Sequence, residues 1–245
     1  GQILVTALDV YRRRPALFAG IGLLSLPLVL LSSEAHWRAT EFLAVASPVD
    51  GLMSQSIRLF TLVVALGALH LGLIHAVVAQ AATAALGRLT EGSRASFAGI
   101  ASDLWRHLPA LLVPRLAVAV VVAVLGFTVI GLPIAVLLAV RWAFIEQAVL
   151  LEGLSGRDAF VRSGRLVTGN WLWVSLTMAV LGLLALAVPP AAGIALMMSF
   201  KSMSLAHINL ITAVIQAVLI PYVAIAFSLT YFHLGAKMAA GERQS

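Results

Sequence analysis

Apolar residues run along this chain in long blocks, each closed by a group of charges, a proline or a short polar stretch. A helix that crosses a bilayer needs about 20 mostly apolar residues at about 1.5 Å each. Six segments meet or approach that length: Pro15–Ser33, Ile57–Leu86, Pro109–Ile130, Leu132–Leu151, Trp171–Val188 and Ile208–Gly235. The second is long enough to tilt or protrude. Only Gly131 separates the third from the fourth, with Pro133 just beyond, so a tight hairpin is predicted there. Pro27 and Pro221 are expected to kink their helices, and Pro189–Pro190 to end the fifth. The pattern predicts an all-α, polytopic membrane protein of six transmembrane helices, with residues 1–245 forming a single integral membrane domain.

Shorter stretches between the spans alternate apolar and basic positions as cytoplasmic interfacial amphipathic helices do. Ala7–Arg12 lies over Ala101–Arg106, and Pro15-Ala16-Leu17 over Pro109-Ala110-Leu111; six of these nine positions are identical. The shared unit reads as a short amphipathic helix broken at a proline that opens a span. Asp158–Thr168 is a weaker third copy, with Ser155 and Asp158 spaced like a capping box at its start. The chain thus divides into three repeats over 1–90, 91–152 and 153–240, each one interfacial helix plus two spans, which makes them parallel. Any helix that meets a bilayer acquires Arg, Trp and Pro at its cytoplasmic edge, so the third copy stays open as a repeat.

Composition agrees with a lipid environment. Of 245 residues 61% are hydrophobic and 11% charged, against a charged share near 25% in soluble domains. No cysteine is present, which removes disulfides, thiolate metal sites and a cysteine nucleophile. The formal charge of +6 comes from 14 arginines against 2 lysines, and most of them flank apolar runs, where they contact anionic lipid rather than nucleic acid. In a six-span arrangement twelve basic residues fall on one side and three on the other, with Arg141 inside a span, so both termini are expected in the cytoplasm. The arginine-heavy usage points to a GC-rich bacterial genome and hence to a bacterial cytoplasmic (inner) membrane. An alternative is a cleaved leader ending near Ser33-Glu34-Ala35, which would leave five spans.

Glu152-Gly153 followed by Ala159, Arg162, Ser163, Leu166, Gly169 and Trp171 resembles the membrane domain attached to some bacterial glycerophosphodiester phosphodiesterases and its stand-alone relatives. There an amphipathic helix of the form Ala-x-x-Arg-Ser-x-x-Leu-x-x-Gly leads into a span. The motif covers about thirty residues. The resemblance implies an integral membrane module; no stretch resembles the family's catalytic barrel, so phosphodiesterase activity is not carried over.

Arg141 stands nine positions into the fourth segment, where a charge costs about 2.5 to 3.5 kcal/mol on insertion scales. It is therefore expected to face protein or trapped water. By helical rise Glu146 and His70 lie at similar depth, about 20 Å from the outer end of their segments. A polar intramembrane cluster of Arg141, Glu146 and His70 is expected, serving a ligand or ion, or acting as interhelical glue with Gln147, Gln80 or Gln216. Arg12, Arg13, Arg14, Arg106, Arg157, Arg162 and Arg165 are expected to contact lipid head groups or a partner. Gly153-Leu154-Ser155-Gly156 matches the Gly-x-Ser-Gly of rhomboid proteases, with His233 as the conceivable base, but Arg157 and Asp158 place Ser155 at an interface and a helix cap explains it. The six histidines show no metal spacing, and no cofactor is expected.

These features point first to a non-enzymatic membrane scaffold or accessory module that binds anionic lipid head groups, a partner membrane protein or a second copy of itself. A transporter or lipid-passage subunit with a polar intramembrane site is the alternative, and an intramembrane serine hydrolase a distant third.

Overall fold

The structure is a computed structural model that describes residues 2–27, 29–31, 34, 38, 41, 75–126 and 130–242. Its elements are all α-helices: α1 (Gln2–Arg13), α2 (Pro15–Leu23), α3 (His75–Thr90), α4 (Phe97–Gly126), α5 (Gly131–Arg141), α6 (Ile145–Glu152), α7 (Gly156–Val167), α8 (Trp171–Ser199) and α9 (Leu205–Glu242). Four stretches are long and apolar enough to cross a membrane: Phe97–Val122, Gly131–Glu152, Trp171–Ser199 and Leu205–Ala240. They cover the last four of the six segments read from the sequence, so the chain is a multi-pass membrane protein by length and composition. Most of the second segment, and the end of the first, lie outside the described residues.

The bundle is organised around α9, which packs against α1, α2, α3, α7 and α8. Two apolar clusters meet on it. One joins Ala7, Phe18 and the alanines of α3 to Ala224–Ala226, and the other joins α4 to α8 to Tyr231 and Leu234. The outer helices keep large apolar side chains exposed, Val113, Leu116 and Val120 on α4 and Leu176 and Leu183 on α8 among them. An apolar exterior around a small-residue interior suits a hydrocarbon solvent, in which association depends on close packing.

α1 and α7, twelve residues each, bury one face on the protein. Ala7 is fully buried on α1, and Ala159, Ser163, Gly164, Leu166 and Val167 on α7. The repeated sequence does not give a repeated break. Arg14 leaves the helical region at φ −139° and Pro15 opens α2 at a position that needs no amide hydrogen. Pro109, by contrast, lies inside the continuous α4, as does Pro114. Pro189 and Pro190 likewise lie inside α8, which runs on to Ser199 rather than ending there. Prolines are tolerated inside membrane helices because neighbouring elements accommodate the backbone groups they free. Pro221 sits within the continuous α9, and Pro27 lies past the Leu24–Ser25 turn that closes α2.

The fourth segment is interrupted where the sequence predicts one helix. α5 ends at Arg141, Trp142–Phe144 form a turn, and α6 starts at Ile145. Ser163, fully buried on α7, satisfies the backbone at this break: its hydroxyl accepts from the Phe144 amide at 3.0 Å and donates to the Arg141 carbonyl at 2.9 Å. Gly153, left-handed at φ 68°, ends α6, with its amide and that of Leu154 turned back to the Val149 and Ala148 carbonyls. Because a buried donor left without a partner costs roughly 1–3 kcal/mol, Ser163→Ala is expected to lower unfolding free energy by about 2 kcal/mol in detergent. Ser175→Ala, which removes an exposed bond within α8, should change it by less than about 0.5 kcal/mol; equal effects from the two would show that Ser163 does not hold the break.

Candidate functional site: an intramembrane cavity at the broken helix

Beside the break lies a cavity of about 290 Å³, lined by α3, α4, α6, α8 and α9 together with Ala143 of the turn. Ala76, Ala79, Ala143 and Ala185 leave the space by having no side chain beyond Cβ, and Phe227 supplies the largest apolar wall. The polar groups at its edge are Arg115, Glu146 and Gln147.

Arg115 of α4 forms an ion pair with Glu146 of α6, with 29% and 26% of the two side chains exposed. Glu146 occupies the first turn of α6, where the helix dipole favours a carboxylate. Gln147 follows it and is only 6% exposed, yet its Oε1 has no hydrogen-bond partner. Pro189 has no amide hydrogen, so the carbonyl four residues earlier, on Ala185, lacks its helical donor, and Ala185 lines the cavity. The site therefore presents a neutralised ion pair with guanidinium donors to spare within an otherwise apolar wall, and the Gln147 carbonyl lies sealed in that wall without a donor. In hydrocarbon such groups are worth more than in water, because few alternatives exist for them.

The expected cluster is assembled differently. Glu146 takes Arg115 as its partner, whereas Arg141 lays its guanidinium over Gly164 of α7, so close that a Cβ there would sit 3.4 Å from Nε. Arg141 is exposed and not sealed inside the bundle; at the end of a half-length helix it reaches the polar surface of α7. His70 lies outside the described residues, as does His36. Gln147 lines the cavity and does not bridge helices through its carbonyl. Sequence reasoning misses Arg115, although its place six residues past Pro109, inside an apolar run, marks it as an intramembrane charge.

A second polar layer lies where α6, α7 and α9 meet. Arg162 grips both oxygens of Glu152 at 2.8–3.0 Å, and this hydrogen-bonded carboxylate raises the guanidinium pKa above its ordinary value. The buried Tyr231 hydroxyl stands beside the pair without a well-formed hydrogen bond. Lys237 donates to Asn170 at 2.8 Å, and Arg88 forks onto Asp103 at 2.6 and 2.9 Å. The motif of α7 thereby acquires physical roles: Ala159 and Leu166 pack, Arg162 holds Glu152, Ser163 bonds the broken helix, and Gly169 supplies φ 78° before Trp171 begins α8. Of the seven arginines expected at the interface, Arg12, Arg13, Arg14, Arg106, Arg157 and Arg165 are exposed and form no ion pair with a described residue, while Arg162 is taken by Glu152. Trp105, 79% exposed, adjoins Arg106.

Ser155 is the exposed N-cap of α7, although its hydroxyl makes no capping bond, and the ring of His233 packs on Trp173 at 5.7 Å. No group of three His, Cys, Asp or Glu suited to a metal occurs among the described residues. Compared with known proteins, the chain matches no family model, no curated protein and no solved structure.

Proposed function

We propose that this chain is a six-span protein of a bacterial cytoplasmic membrane, with both termini inside, that binds an amphipathic membrane ligand in the cavity and performs no covalent chemistry. Lipid passage, or presentation of the ligand to a partner, is the role this fits. The observation that carries the reading is the cavity itself: an apolar space beside a broken helix, with the Arg115–Glu146 charge pair at its edge. A charge pair at the edge of an apolar space is expensive in hydrocarbon unless a polar group of an occupant meets it. The interruption at Trp142–Phe144 supports it further, since spans broken at a site are how membrane proteins expose backbone and helix ends to a ligand.

A scaffold function is the second reading, and the six exposed, unpaired arginines favour it. With Trp105 they form a basic and aromatic edge suited to anionic head groups, to a partner protein or to a second copy. The repeat reading keeps support from two of its copies, because α1 and α7 are both short, bury one face and precede a break at the start of the next helix. The likeness of the α7 motif to the membrane domain of glycerophosphodiester phosphodiesterases accords with either role.

Filling the cavity separates the two readings. Ala185→Phe is expected to reduce the lipid retained by the purified protein, seen by native mass spectrometry, while lipid retention is unchanged in a variant with Arg12, Arg13 and Arg14 replaced by glutamine. The reverse pattern would move the function to the basic edge.

A further inference from the structure

Resting on the reading of the cavity as a binding site, we propose that it takes the carbonyl group of a neutral acyl lipid, an ester above all. The polar atoms free to meet an occupant are donors. Gln147 lines the space and is only 6% exposed, and its Oε1 is sealed, so the amide nitrogen is the polar atom of that side chain able to reach the cavity. That nitrogen has no hydrogen-bond partner among the described residues. A guanidinium has five N–H donors, and the ion pair with Glu146 runs through Nη1 of Arg115, leaving the others open to a second oxygen. The acceptor at the same edge, the Glu146 carboxylate, is already held by that guanidinium. The occupant must therefore supply lone pairs. One carbonyl oxygen has two, enough to accept from the Gln147 amide and from Arg115 together.

Charge sets a second limit. Arg115 is neutralised by Glu146, so an anionic head would either displace that carboxylate or add a net charge in a region of low dielectric, and a cation would find its counter-charge taken. An alcohol can accept as well, but its own hydrogen finds the Gln147 carbonyl out of reach. An ester brings acceptors alone. Size and wall complete the match. A space of about 290 Å³ stands at the small end of ligand pockets, admitting a head and the first carbons of a chain but not a whole two-tailed lipid. Its walls include parts of helices long and apolar enough to span a membrane, and alanine with Ile220, Val223 and Phe227 suits methylene groups.

The test uses the full-length purified protein in nanodiscs and four photoreactive twelve-carbon chains, ended by a methyl ester, a hydroxyl, a carboxylate or a plain methyl. Crosslinks are mapped to the peptides carrying Ala143–Gln147 and Ile220–Phe227. The ester is expected to label these peptides about tenfold more than the carboxylate or the plain chain and about fivefold more than the alcohol, and unlabelled methyl dodecanoate to compete. Gln147→Leu should reduce ester labelling about fivefold, near the value of one lost hydrogen bond, with the plain chain unaffected. Ester labelling no stronger than that of the plain chain, or unchanged in Gln147→Leu, overturns the carbonyl assignment and leaves the binding-site reading standing. So does stronger labelling by the alcohol, which would mean that Glu146 receives a donor, or by the carboxylate, which would mean that Arg115 releases Glu146. Absence of labelling by all four overturns the binding-site reading itself. Competition by methyl acetate as strong as that by methyl dodecanoate overturns the lipid part of the proposal. Should Gln147→Leu unfold, the ranking of the four heads on the native protein decides alone.

Discussion

Gly22→Ala is expected to destabilise the folded protein by about 3 kcal/mol, the upper end of what overpacking ordinarily costs. Where α2 crosses α9, a Cβ on Gly22 would lie 1.7 Å from the carbonyl oxygen of Ala217 and 2.6 Å from its carbon. Neither atom is the tip of a flexible side chain, so the two helices would have to separate. Pro221 explains why that carbonyl is there. Having no amide hydrogen, it leaves the Ala217 carbonyl, four residues earlier in α9, without a helical partner. The hydrogen-bearing Cα of Gly22 can approach that oxygen where a side chain cannot. The same substitution at Gly182 of α8, where a Cβ would meet nothing within 4 Å, should be neutral or stabilising by up to about 1 kcal/mol. Unfolding of both variants in mixed detergent and SDS micelles measures the contrast, and similar midpoints for the two would refute the close crossing.

The parts of the fold that follow from solvation were legible in the sequence, and those that follow from particular contacts were not. Apolar length located α8 and α9, because the bilayer dictates how long such runs must be, and Gly131 with Pro133 divided the longer run into α4 and α5. Basic residues between apolar ones at helical spacing located α7. Proline is legible at one place and not at others. Pro15 starts a helix, whereas Pro109, Pro189 and Pro190 lie inside helices, and the sequence does not say which neighbour will accommodate the freed carbonyl. The break at Trp142–Phe144 carries no glycine or proline of its own. It depends on Ser163, about twenty residues away in sequence, to meet its backbone groups. Serine at that place in the α7 motif looks like an ordinary polar position until the turn it bonds is known. Glu146 is expected beside Arg141 and His70, whereas its ion pair is with Arg115 of α4.

That partner assignment leads to the second large effect. Arg115→Leu is expected to destabilise the protein by about 3 kcal/mol, since it leaves the Glu146 carboxylate without its counter-charge in a mostly apolar surrounding. Removing both charges, in Arg115→Leu combined with Glu146→Leu, should restore most of that loss, because a pair replaced by apolar residues of similar volume is often near neutral. The coupling from such a cycle is expected to be about 2 kcal/mol. Arg141→Leu provides the comparison. It removes a side chain that is exposed and lies over Gly164, and should cost less than about 1 kcal/mol, through lost cover of α7 rather than an orphaned charge. If Arg141→Leu proved the more damaging substitution and lost its effect once Glu146 was also replaced, the carboxylate would belong to Arg141, and the cavity would have a free guanidinium able to receive an anion.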